Sequence, residues 1–188
     1  MNHRYWQYKM IAARLFSGEV IAYPTEGVWG LGCLPESEQA TMKILELKNR
    51  TWDKGLILLG SEFSQLEPYI NLSGDEARTL EKSAGEGITY LVGKSDKVPL
   101  WISGSHQQVA VRISNHKTVK GICEAVEQPI VSTSANLSGK PAAKTRLQVI
   151  RYFKHQVDYI VPGAIGGGQG ASKIVDLKTG TLIRPGGT

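Results

Sequence analysis

The sequence predicts an α/β fold, and three observations carry that expectation. Short apolar runs of strand type alternate along the chain with segments of helical period. The 188 residues are 41% hydrophobic, enough to bury a full core as one domain, residues 1–188, without disulfides or metals. Small polar residues crowd the carboxyl ends of two predicted strands, where open α/β sheets hold their ligands.

The first helix, Tyr5–Phe16, is amphipathic and stops at Gly18. Strand Val20–Tyr23 runs through Pro24 into "TEGVWGLG", whose glycines demand a sharp turn and let another group approach the backbone. This is a Gly-rich connection and not a phosphate-binding P-loop, because the Gly-Lys-Ser/Thr ending is missing. Helix Glu38–Asn49 has an apolar arc of Leu47, Ala40, Ile44 and Leu45, and Lys48 falls inside that arc. A lysine there needs an anion or a route to solvent, although it also complements the helix dipole. Arg50 lies just past the helix and Lys54 four residues on, so three cations are placed to face a triphosphate. Each charge pair would contribute ~4 kcal/mol at an effective dielectric near 20, before desolvation.

Strand Leu56–Leu59, helix Gly74–Ser83 and strand Ile88–Val92 follow. In "HQQVAVRIS", strand Val109–Ile113 alternates: Val109, Val111 and Ile113 share one face, and Gln108, Ala110, Arg112 and Ser114 the other. An arginine so placed suits a carboxylate gripped by two parallel hydrogen bonds, or an ordinary exposed strand face. Helix Thr118–Val126 leads to strand Ile130–Ser132 and the polar run Ser132, Thr133, Ser134, Asn136, Ser138, Gly139. Hydroxyls, an amide and free N–H groups there suit a phosphate or a nucleotide sugar, or else a Ser/Thr/Asx turn. Helix Thr145–Phe153 and strand Tyr159–Val161 precede "PGAIGGGQG", residues 162–170, which is expected to be a mobile lid or linker. Strands Ile174–Leu177 and Thr181–Ile183 complete the chain.

The net charge of +5 favours polyanionic ligands, but there is no block of like charge resembling a basic tail. Cys33 and Cys123 read as reduced, buried thiols of a cytoplasmic protein. No apolar run reaches the roughly 18–20 residues of a membrane span, and the N-terminus has no signal-peptide core. The four histidines lack metal-ligand spacing, and no motif nominates a covalent nucleophile. The alternative to an enzyme is a non-catalytic module for double-stranded RNA or tRNA. Aromatic residues are only 7% of the chain, too few for base-stacking platforms.

Five motifs in order, "YPTEGVWGLG", "LKNRTWDKGLIL", "VAVRIS", "VSTSANLSGKP" and "TGTLIRPG", resemble the YrdC/Sua5 family, from about residue 7 to the end of the chain. The likeness is to its short, single-domain bacterial members. It implies a YrdC-like domain, a twisted, mostly open mixed β-sheet flanked by helices around a large basic cavity. It implies the reaction of L-threonine, bicarbonate and ATP (with Mg2+) to threonylcarbamoyl-AMP, pyrophosphate and water. A downstream tRNA threonylcarbamoyl-transfer complex would use the product, and direct contact with tRNA stays open.

Carried over by motif, Lys48 and Arg50 would hold the ATP phosphates and act as the catalytic cations. Ser134 and Asn136 would hold the nucleotide, lined also by Gln108, Ala142 and Arg184. Thr25, Arg112 and Ser132 map to threonine-binding positions, with Arg112 on the carboxylate. Three departures stand out: "SAGEGIT" replaces a Trp-Pro-Gly-Pro run, Leu59 stands where longer relatives have a histidine, and Gly27 where Ala or Thr is common. An apolar pocket would separate threonine from valine only about 100-fold, so a buried polar partner for the hydroxyl is expected near Thr25 or Ser132.

Overall fold

The computed structural model describes residues 3–168 and 170–187, with the side chains of residues 3 and 4 left aside. In chain order the elements are α1 (His3–Phe16), β1 (Ile21–Pro24), β2 (Trp29–Gly32), α2 (Glu38–Lys48), β3 (Ile57–Gly60), α3 (Phe63–Leu66), β4 (Ile70–Asn71), α4 (Gly74–Lys82), β5 (Ile88–Lys94), α5 (Leu100–Ser103), β6 (Gln108–Ile113), α6 (Lys117–Val126), β7 (Ile130–Ser134), α7 (Arg146–Phe153), β8 (Tyr159–Ile160), β9 (Lys173–Asp176) and β10 (Leu182–Arg184). The strands form one sheet in the order β10-β9-β5-β6-β3-β7-β2-β1-β8, with β4 on β5. The pairs β1–β8, β3–β6 and β5–β9 are parallel and the others antiparallel, so the sheet is mixed.

Strand alternation sorts the core into two clusters. Val20, Ala22, Leu31, Leu58, Val109, Val111 and Val131 belong to one, with α2 and α7 residues such as Ile44 and Phe153. Ile21, Tyr23, Leu59 and Ile130 belong to the other, with Ile11 and Leu15 of α1 and Val119 and Ile122 of α6. Helices α1 and α6 cover only part of that second face, and the uncovered part holds the site described below. Cys33 and Cys123 are free, buried and in different clusters. Among the described residues no helix is long and apolar enough to cross a membrane.

Local chemistry sets the helix ends. The Ser37 side chain accepts from the Ala40 N–H to start α2, and Asn49, at φ 48°, ends it. Capping boxes open α4 (Ser73 with Glu76) and α7 (Thr145 with Gln148).

The structure departs from the sequence expectation at β2, which reads as a Gly-rich connection yet pairs with β1 and β7. The short elements α3, β4 and α5 carry too few residues to show a period. In the 162–170 segment, expected to be a mobile lid or linker, Gly166 N–H donates to Thr25 O at 3.0 Å and Gly168 N–H to Glu26 O at 2.7 Å. The segment's Gln169 lies outside the described residues. A Cβ on Gly27 would stand 2.1 Å from the Gly170 carbonyl oxygen, so this crossing excludes the Ala or Thr common at that position.

Candidate functional site

A cavity of about 330 Å³ opens on the uncovered face. Gln108, Ala110 and Arg112 of β6, Ile57 of β3 and Ser132 and Ser134 of β7 line it, as the alternation of β6 requires. Arg50 and Lys54 enter from beyond α2, Thr25 from the end of β1, and Arg184 from β10. Among the described residues the lining contains Arg50, Lys54, Arg112, Arg184 and His106, and no Asp or Glu.

Arg112 is 9% exposed and pairs with Glu26, whose other oxygen accepts from Ser114 Oγ at 2.6 Å. Its Nε is buried without a partner among the described residues, and so is the Nε of Arg50. Leaving a buried donor unpaired costs about 1–3 kcal/mol, more when it is charged. Both guanidinium side chains line the cavity, which so presents positive charge to an anionic ligand. Arg50 Nη2 donates to the Gly55 carbonyl at 3.0 Å, and Arg184 Nη2 to the Ser172 carbonyl at 2.8 Å. Burial lowers the pKa of both guanidinium groups, and for Arg184 the charge of Arg50 adds to it.

Lys48 behaves differently. It is buried, as its place in the apolar arc predicts, but it is not part of the cavity lining. Its ammonium donates to the carbonyls of Ser134 and Asn136 and to Asn136 Oδ1, the last at 2.8 Å. Ser134 Oγ donates to the same Oδ1 at 2.7 Å, and Asn136 Nδ2 donates to the Lys140 carbonyl at 2.8 Å. The crowd of polar groups after β7 therefore satisfies itself around one cation. Burial first, and Arg50 second, push the Lys48 pKa down to about 7. The three oxygen acceptors oppose that shift, since only the ammonium has three protons to give.

Of the residues expected from sequence, Thr25, Arg50, Gln108, Arg112, Ser132, Ser134 and Arg184 converge on the one cavity. Lys48 and Asn136 stand behind its wall, and Ala142 lies in the loop after β7, outside the lining. Of the three cations expected to face a triphosphate, Arg50 and Lys54 line the cavity and Lys48 does not. Glu26, Tyr23 and His116 are additions. Tyr23 donates to Ser132 Oγ at 2.7 Å. His116 accepts the Thr118 N–H at Nδ1, capping α6, and so carries its proton on Nε2, 3.1 Å from the Ala164 carbonyl. Burial lowers its pKa, in keeping with a neutral ring. Glu26 had a signal in the sequence, a carboxylate beside the turn glycines, but nothing there paired it with Arg112.

Among the described residues no group of three or more His, Cys, Asp or Glu is placed to hold a metal.

The Sua5/YciO/YrdC family model, which bears the description telomere recombination, matches residues 13–186. The chain belongs to that family. A threonylcarbamoyl-AMP synthase of Pseudomonas fluorescens is 42% identical over 181 residues, 96% of this chain and 97% of that protein. One from Pseudomonas putida is 44% identical over 176 residues, 93% of this chain and 95% of that one. The P. abyssi Sua5 structure with L-threonine superposes with a TM-score of 0.89 at 34% identity, covering 97% of this chain and 54% of that one. This chain thus spans about half the length of that Sua5. E. coli YciO, at 22% identity and a TM-score of 0.87, shares the Sua5/YciO/YrdC fold.

Proposed function

We propose that this chain is a threonylcarbamoyl-AMP synthase, a nucleotidyltransferase that joins L-threonine, bicarbonate and ATP with release of pyrophosphate. The observation that carries the reading is the one cavity lined by Arg50, Lys54, Arg112 and Arg184 together with Thr25, Ser132 and Ser134. Its near full-length likeness to threonylcarbamoyl-AMP synthases supports that reading over an RNA-binding module.

Threonine presents a carboxylate to Arg112, between Thr25 and Ser132. Its amine, once neutral, attacks the carbon of bicarbonate with loss of water, or of CO2 with loss of a proton, to give N-carboxythreonine. The new carboxylate attacks the α-phosphorus of ATP and pyrophosphate leaves. The bonds change among the substrates, so the protein's task is alignment and charge neutralisation. Arg50, Lys54 and Arg184 face the phosphates, and Gln108 and Ser134 face the rest of the nucleotide. Lys48 and Asn136 act from behind, by fixing the Ser134 wall. Mg2+ enters as part of the MgATP substrate, its charge offsetting that of the phosphates beside Arg50 and Lys54. The product then passes to a tRNA threonylcarbamoyl-transfer complex in the cytoplasm.

The test is pyrophosphate release from ATP by the purified chain. Release that depends on both threonine and bicarbonate is expected. Release indifferent to threonine, or none, would overturn the assignment.

A further inference from the structure

We propose that Tyr23 is a positioning residue that makes the Ser132 hydroxyl a committed hydrogen-bond donor facing the cavity, and through it sets the choice of threonine over valine. This rests on reading the cavity as a threonine site. Tyr23 is fully buried, and its hydroxyl donates to Ser132 Oγ at 2.7 Å. No other acceptor takes the phenolic proton among the described residues, so the bond runs from Tyr23 to Ser132. The Ser132 proton is then left for the cavity that Ser132 lines.

The backbone is shaped for this bond. Tyr23 sits on β1 and Ser132 on β7, with β2 between them. The ring crosses β2 above Gly30 and Gly32. A Cβ on Gly30 would stand 3.2 Å from Tyr23 Cζ, and one on Gly32 would stand 2.8 Å from Cε1. Two bare positions in "WGLG" therefore form the trough in which the ring lies.

Thr25 supplies the complement. Its hydroxyl spends its proton on the Val28 carbonyl at 2.8 Å, leaving only lone pairs. Thr25 and Ser132 line the same cavity, one as acceptor and one as donor. A substrate hydroxyl, which both gives and takes, matches that pair, whereas the methyl of valine matches neither.

The experiment compares kcat/KM for L-threonine and L-valine in pyrophosphate release, at saturating ATP and bicarbonate, for the native chain, Tyr23→Phe, Ser132→Ala and the double variant. Tyr23→Phe is expected to cut the threonine-to-valine ratio about tenfold, through the KM for threonine, with the KM for ATP moved less than twofold. In the Ser132→Ala background it should change the ratio no further. An unchanged ratio in Tyr23→Phe, or an equal fall in both backgrounds, would overturn the proposal. If Tyr23→Phe fails to fold, Gly30→Ala, which crowds the phenol, should lower the ratio too, and an unchanged ratio there is equally fatal. A native chain that releases no pyrophosphate with threonine would sink the enzyme assignment instead. Calorimetric binding of the two amino acids to the native chain and Tyr23→Phe then decides the role of Tyr23 by the same ratio.

Discussion

Two corners of the cavity wall hold buried cations in opposite ways. At the Lys48 corner every proton of the ammonium meets an oxygen of Ser134 or Asn136. At the Arg50 and Arg112 corner each guanidinium keeps a buried Nε without a partner among the described residues. The first corner is complete as folded and the second is not. A motif cation can thus serve a ligand directly, or serve it by building the surface the ligand meets, and the count of satisfied donors tells the two apart.

The largest effect that would break this comparison is at Arg112. Arg112→Ala strips the partner from the mostly buried Glu26, and folding stability should fall by about 3–5 kcal/mol in denaturant titrations. The KM for threonine should rise at least tenfold while the KM for ATP holds. The reverse pattern would mean the two substrates occupy swapped ends of the cavity. Next comes Arg50→Ala, which should weaken ATP binding by about 1.5–3 kcal/mol, read by calorimetry, with the unfolding temperature unchanged or raised. Lys48→Met should do the opposite first. It removes three hydrogen bonds, although Asn136 N–H still serves the Ser134 carbonyl and Ser134 Oγ still serves Asn136 Oδ1, and costs about 2 kcal/mol of stability, with ATP affinity lost in step. Loss of ATP affinity without loss of stability would move Lys48 to the ligand side.

A smaller effect sharpens the same point. Lys48 binds its proton less tightly folded, near pH 7, than unfolded, at its ordinary 10.5. Between those values the unfolded chain holds more protons, so this residue makes stability rise with pH. The rise from pH 7 to 9, read by urea unfolding, should shrink in Lys48→Met. The smallest change is Ser134→Ala, about 1 kcal/mol of stability for one hydrogen bond to Asn136.

How much of this was legible in the sequence follows from which interactions are local. The face carrying Gln108, Ala110 and Arg112 follows from strand alternation alone, and the burial of Lys48 follows from the helical period. Both periods are short-range properties of the chain. The partners are not: Lys48 meets Asn136 across 88 positions, and Arg112 meets Glu26 across 86. Nothing local distinguishes a lysine that will meet carbonyls from one that will meet phosphate. Strand β2 stayed hidden for a related reason. Two of its four residues are glycine, chosen for the Tyr23 ring rather than for strand propensity.

The sheet order has a consequence for the segment joining β8 to β9. Those strands stand seven intervals apart in the sheet order. Yet Gly168 N–H still meets the Glu26 carbonyl beside β1, while Ser172 Oγ already meets Thr89 of β5. Four residues reach at most about 14 Å, so the sheet curls until its two flanks stand side by side. The segment is a clasp between those flanks, and β10 with Arg184 follows directly from it.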